Sequence, residues 1–136
     1  MKHIVHIDGS SRGNPGPAGA GVVIQTYHEG RLVTQKTISR CVGNTTNNVA
    51  EYRALLLALK LAKEKGYGFV EILSDSKLLV NQILGNWKIR DEHLAKLAKE
   101  ASESGVIYSI AWIPRDKNDM ADRLAQDASG QCRGDR

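Results

Sequence analysis

The stretch "VAEYRALLLALKLAKE", residues 49–64, decides the fold. It is rich in Ala and Leu and apolar on nearly every face, so it predicts a helix that is buried rather than laid on a surface. One apolar strand-like segment lies well before it and another follows it. Residues 3–8 carry apolar Ile4, Val5 and Ile7, and "FVEILS" (69–74) reads as a second apolar strand. Parallel neighbours need a long crossover, and a buried helix between two apolar strands supplies one. If the strand at 3–8 and the strand at 69–74 are parallel neighbours, this helix is the crossover such a pair needs.

Working outward, "AGVVIQTY" (20–27) and residues 31–41 read as two strands joined by the short loop "HEG". "SKLLVNQILG" (76–85) reads as a short helix, 91–103 as another, "VIYSIAWI" (106–113) as a fifth strand and 119–129 as a last helix. The order βββαβααβα implies an α/β layer structure around a five-stranded mixed sheet. The 136 residues suit one domain, placed at 1–129, with residues 130–136 expected to form a disordered tail. Apolar residues at 41% and charged residues at 25% indicate a globular chain. The net charge of +4 is compatible with a polyanionic partner. No apolar run is long enough to span a membrane and no leader precedes the first strand, so no membrane partner and a cytoplasmic location are expected. Nothing demands more than a monomer. Cys41 and Cys132 lack metal-ligand spacing; whether they pair is left open.

Four carboxylates stand at element ends. Asp8 closes the first strand and Asp75 the fourth, and ligands gather at the carboxyl ends of parallel strands. Glu51 lies in the first turn of the crossover helix and Asp122 in the first turn of the last helix. Each has a structural alternative. Asp8 suits a turn, Asp75 a cap for the helix that follows, Asn48 with Glu51 a capping box, and Asp122 a helix dipole. Together they suggest more. Carboxylates a few ångströms apart repel by about 4 kcal/mol per pair at an effective dielectric near 20. A fold that gathers them must protonate some or bind cations, and hard oxygen ligands select Mg²⁺ or Mn²⁺. Two such ions about 4 Å apart clamp the attacking and leaving oxygens of a phosphodiester. Asp8, central on the first strand, is the natural bridging ligand. Between Asp8 and Val22 stand five glycines and two prolines. They read as a bare loop, open to a sugar-phosphate chain.

"IDGSSRGNPGPAGAG" (7–21), "TTNNVAEYRALLLAL" (45–59), "ILSDSKLLV" (72–80) and "NDMADRLA" (118–125), in that order, resemble type 1 ribonuclease H. The resemblance spans His3 to about Ala128. It implies endonucleolytic hydrolysis of the RNA strand of an RNA/DNA hybrid, leaving 5′-phosphate and 3′-hydroxyl ends. Asp8, Glu51, Asp75 and Asp122 match the family's metal-binding, catalytic carboxylates. Asp8 with Asp122 would hold one ion, and Asp8, Glu51 and Asp75 the other. By position, Gly9, Ser10 and Asn14 would line the RNA strand, and Asn47 and Asn48 would contact bases and sugars. Thr46 would take a phosphate of the DNA strand, Lys77 would stand near the hybrid, and Trp87 would lie along the DNA groove or pack in the core.

Two departures from the family pattern stand out. "NWKIRDEHLAKLAKE" (86–100) runs straight into a helix without the basic protrusion of many bacterial members. Weaker phosphate binding and activity on RNA–DNA junctions or double-stranded RNA are then expected. The loop "IPRDKND" (113–119) lacks the family's histidine; Arg115 is the auxiliary candidate, as a charge stabiliser and not a proton donor. The rival classes are a catalytically weak nucleic-acid-binding domain, another metal nuclease such as an exonuclease or integrase core, and an ATPase-type phosphotransferase.

Overall fold

The computed structural model describes residues 1–132. Five strands, β1 (Lys2–Ser11), β2 (Gly16–His28), β3 (Arg31–Thr45), β4 (Phe69–Ser74) and β5 (Ile107–Trp112), alternate late with four helices. The helices are α1 (Asn47–Glu64), α2 (Lys77–Ile83), α3 (Glu92–Ser102) and α4 (Asp119–Gln131), and a short 3₁₀ turn, Arg115–Lys117, precedes α4. The sheet order is β3-β2-β1-β4-β5. β1 and β4 are parallel neighbours, as the buried crossover helix requires, while β1–β2 and β2–β3 are antiparallel. Among the described residues no helix is long and apolar enough to cross a membrane.

α1 forms the centre of the core. Tyr52, Ala54, Leu55, Ala58 and Leu59 are all buried, packed with Val5, Ile7, Val22 and Ile72 of the sheet and Leu94 and Leu97 of α3. α4 lies on the opposite face, against β1, β2 and β3. Residues alternate between these faces along each strand. Val5, Ile7 and Gly9 therefore face α1, while His6, Asp8 and Ser10 face α4.

The glycine-rich stretch differs from the open loop expected of it. β1 continues to Ser11 and β2 begins at Gly16, with Asp8 paired to Gly21, Gly9 to Ala20 and Ser10 to Gly19. Gly9, Gly19 and Gly21 are pressed against helices rather than left bare, while Gly13 and Gly16 meet the hairpin's own backbone. A Cβ on Gly9 would lie 2.3 Å from the Ala50 carbonyl carbon of α1. On the other face, a Cβ on Gly21 would lie 2.2 Å from the Ala121 carbonyl oxygen and one on Gly19 2.4 Å from that of Ala125, both in α4. The missing side chains thus allow both helices to seat directly on the hairpin.

The first residues of the expected tail are ordered instead. α4 continues through Gln131, and Cys132 is buried and joined to Cys41 by a disulfide, with Cα atoms 5.2 Å apart. That bridge fixes the end of α4 to β3. The rest of the expected tail, 133–136, lies outside the described residues.

Candidate active site

The two glycine contacts place the carboxylates. Asp8 sits between Gly9, on which the start of α1 rests, and Gly21, its strand partner, on which the start of α4 rests. Glu51 follows Ala50 on α1, and Asp122 follows Ala121 on α4. Both helices therefore deliver an acid beside Asp8. Two further bonds lock the arrangement. The Gly9 N–H donates to Glu51 Oε1 at 2.9 Å, and Asn118 Nδ2 donates to the Ile7 carbonyl at 2.8 Å. The second ties the start of α4 to β1 one residue before Asp8.

None of the structural alternatives tested by the caps holds. Thr46 caps α1 through Val49 N–H, so Asn48 and Glu51 form no capping box. Ser76 caps α2 through Leu79 N–H, which leaves the Asp75 carboxylate free. The Asp75 backbone is held from the next strand, since Trp112 Nε1 donates to its carbonyl at 3.2 Å.

One carboxylate oxygen from each of Asp8, Glu51 and Asp75 lies within 4.8 Å of the others. Asp8 and Glu51 are buried, at 4% and 7% exposure. Asp122 lies outside this tight group and lines the same cleft of about 350 Å³. Burial first, then the charges of Glu51 and Asp75, push the Asp8 carboxyl up to about 10. Burial and Asp75 likewise push Glu51 up, to about 8, against the opposing pull of the Gly9 N–H and the Arg115 charge. Such a cluster is unfavourable as bare anions at neutral pH. Its all-oxygen, hard donor set fits a Mg²⁺- or Mn²⁺-sized dication.

The remaining sequence candidates divide. Gly9, Ser10, Asn47, Asn48 and Arg115 line the carboxylate cleft. Asn14, Thr46 and Asn48 line an adjoining cleft of about 240 Å³, with Asp91 and His93 opposite. Two of these side chains are partly engaged in bracing the site. Asn14 Oδ1 accepts from Asn47 N–H at 2.9 Å, and Asn47 Oδ1 accepts from Ser11 N–H at 3.2 Å. Lys77 and Trp87 line neither cleft. The Lys77 ammonium sits 4.9 Å from the centre of the Trp112 ring. Trp87 is 46% exposed, which rules out the core placement.

The sequence reading missed Asn118, Gln126 and His93. Asn118 and Gln126 lie in the quoted "NDMADRLA" segment or one residue past it, but short polar residues at a helix start carry no signal of the contact they will make. His93 is exposed near the start of α3, and only the fold brings it to the adjoining cleft.

A mixed five-stranded sheet with Asp8 and Asp75 just past the last pair of the parallel β1–β4 ladder, and with Glu51 and Asp122 in the N-terminal halves of two helices, defines a ribonuclease H-like protein with a carboxylate centre. Residues 6–128 match a family model described as "Reverse transcriptase-like". The chain is 41% identical over 131 residues to Bifunctional protein Rv2228c of Mycobacterium tuberculosis, covering 94% of this chain and 35% of that protein. It is 38% identical over 126 residues to Ribonuclease HI of Halobacterium salinarum, covering 90% of this chain and 62% of the relative. The chain thus spans only about a third to three-fifths of these relatives' own length. Among solved structures, the N-terminal RNase H domain of Rv2228c superposes with a TM-score of 0.86 at 39% identity, over 97% of this chain and 96% of that one. LC11-RNase H1 in complex with an RNA/DNA hybrid gives a TM-score of 0.84 at 37% identity, over 96% and 98%. The chain belongs to the type 1 ribonuclease H family.

Proposed function

We propose that this chain is an endonuclease that hydrolyses the RNA strand of RNA/DNA hybrids with two Mg²⁺ or Mn²⁺ ions, leaving 5′-phosphate and 3′-hydroxyl ends. The observation that carries this reading is the approach of Asp8, Glu51 and Asp75 to within 4.8 Å, with Asp122 on the same cleft. Asp8 and Asp122 would hold one ion; Asp8, Glu51 and Asp75 would hold the other. Bound there, two dications supply a nucleophilic water at neutral pH and stabilise charge on the attacking and leaving oxygens.

The protein's own groups do the rest. Burial of Asp8 and Glu51 keeps competing water from the ligand oxygens. Arg115 is permanently cationic, so in the cleft it offsets charge building on the phosphate and transfers no proton. Only RNA offers a 2′-hydroxyl, and Ser10, Asn47 and Asn48 set short polar groups beside the acids to read it. Asn14 and Asn47 commit their carbonyl ends to the fold, which leaves their Nδ2 groups as the donors for substrate. Thr46 Oγ1 accepts from Val49 N–H and keeps its own O–H for a phosphate of the DNA strand. Lys77 contributes positive charge near the hybrid, and exposed Trp87 offers an aromatic face to the DNA strand. With no basic protrusion, phosphate contacts are few and affinity falls shallowly with salt. The chain acts as a monomer, in the cytoplasm.

A labelled hybrid with blocked ends tests the reading, beside double-stranded RNA, single-stranded RNA and a junction duplex, each with Mg²⁺, Mn²⁺ or EDTA. Internal cleavage of the RNA strand with metal, none with EDTA and none by Asp8→Asn is the expected result. Wild-type-like cleavage by Asp8→Asn would refute the site. Binding without cleavage by the metal-loaded wild type would favour a non-catalytic binding domain.

A further inference from the structure

We infer that Gln126 is a positioning residue that holds the Asp122 carboxylate in the orientation needed for metal binding; this rests on the two-metal reading above. Asp122 is the one acid of the four outside the tight group, and it lines the same cleft from α4. Gln126 lies one turn further along α4 and lines the same cleft. Its Nε2 donates to both Asp122 oxygens, at 3.2 and 3.1 Å. An ionised carboxylate only accepts, so the amide nitrogen must be the end that faces it. A donor shared between both oxygens fixes the tilt of the carboxylate as well as its direction.

The Gln126 backbone is anchored in turn. Its carbonyl accepts from Arg12 Nη2 at 3.2 Å and from Ser129 Oγ at 2.8 Å, and Arg12 Nε donates to Ser129 Oγ at 3.1 Å. Arg12 belongs to the glycine-rich hairpin that also carries Asp8. The hairpin therefore braces the residue that orients the fourth acid. Partners of this kind, which bond to a metal ligand rather than to the metal, commonly change affinity or activity by tenfold or more when lost.

The test uses two variants of the full chain. Gln126→Leu keeps the length of the stem without the donor, and Gln126→Ala removes both. Free Mn²⁺ is followed by electron paramagnetic resonance as it is titrated into protein without nucleic acid, and the Mg²⁺ dependence of kcat is measured separately. Both variants should weaken the weaker Mn²⁺ step by on the order of tenfold. The Mg²⁺ concentration for half-maximal kcat should rise in parallel, with KM for hybrid and the metal-free Tm unchanged. A wild-type Mn²⁺ isotherm in Gln126→Leu overturns the inference, as does a loss confined to Gln126→Ala, which would mark a packing role. Asp122→Asn separates the levels. A shift there without one in Gln126→Leu overturns this inference alone, while a wild-type isotherm in Asp122→Asn overturns the site reading and this inference with it.

Discussion

Replacing Asp8 by Asn should make the metal-free protein more stable while abolishing its activity. Asp8 is 4% exposed, and burial with its acidic neighbours raises its carboxyl from 3.8 to about 10. Between those values the folded chain holds a proton that the unfolded chain has released. Stability is therefore greatest below the unfolded value and is lost as pH rises toward the folded one. At pH 7 the loss is 3.2 pH units above 3.8, or roughly 4 kcal/mol at about 1.4 kcal/mol per unit. Water reaching the cleft reduces this, and about 3 kcal/mol is the expected gain from an Asn, which needs no proton uptake to sit there. In a chain of this size that raises Tm by roughly 10 °C. Urea unfolding followed by circular dichroism, in EDTA from pH 4 to pH 8, reads it directly. Asp8→Asn should exceed wild type at pH 7, the gap should shrink toward pH 4, and added Mg²⁺ should stabilise wild type alone. Equal stability at pH 7, or a gap that does not change with pH, would refute the reasoning.

Gly21→Ala should destabilise by about 3 kcal/mol in thermal melts, because the new Cβ would lie 2.2 Å from the Ala121 carbonyl oxygen and push α4 off the sheet. Activity should fall with it, since Asp122 moves too. Cys41→Ser opens a cross-link with a sequence separation of 91. It should lower stability by about 2–4 kcal/mol in urea and abolish the loss that added reductant should cause in wild type. Arg115→Ala should lower kcat by roughly tenfold to a hundredfold with KM nearly unchanged in steady-state assays, as expected for charge stabilisation in the transition state.

The sheet was legible because the signals were local and strong. The apolar helix at 49–64 could only be buried, and it is the crossover that a parallel pairing of the first and fourth strands needs. The four acids were legible because each stands near an element boundary, although two boundaries lie elsewhere than expected: β1 runs on to Ser11, so Asp8 lies within it just past the end of its pairing with β4, and α1 begins at Asn47, so Glu51 is in its second turn. The glycines between Gly9 and Gly21 misled. Sequence alone cannot distinguish a glycine left bare for a ligand from one pressed against a helix, since both need an absent Cβ. Asn118 and Gln126 stayed hidden for a related reason. Their partners, Ile7 and Asp122, are set by how α4 lies on the sheet, and no local pattern encodes that. The last helix was expected to end at 129, but α4 continues through Gln131, and Cys132 just after it is bridged to β3, a contact no local pattern shows.

The most direct test of the whole account is a crystal of the protein soaked in Mn²⁺ and measured at the manganese absorption edge. Two anomalous peaks about 4 Å apart are expected, one contacting Asp8, Glu51 and Asp75 and the other between Asp8 and Asp122. A well-ordered cleft without manganese at these acids, in crystals that bind it elsewhere, would contradict the account.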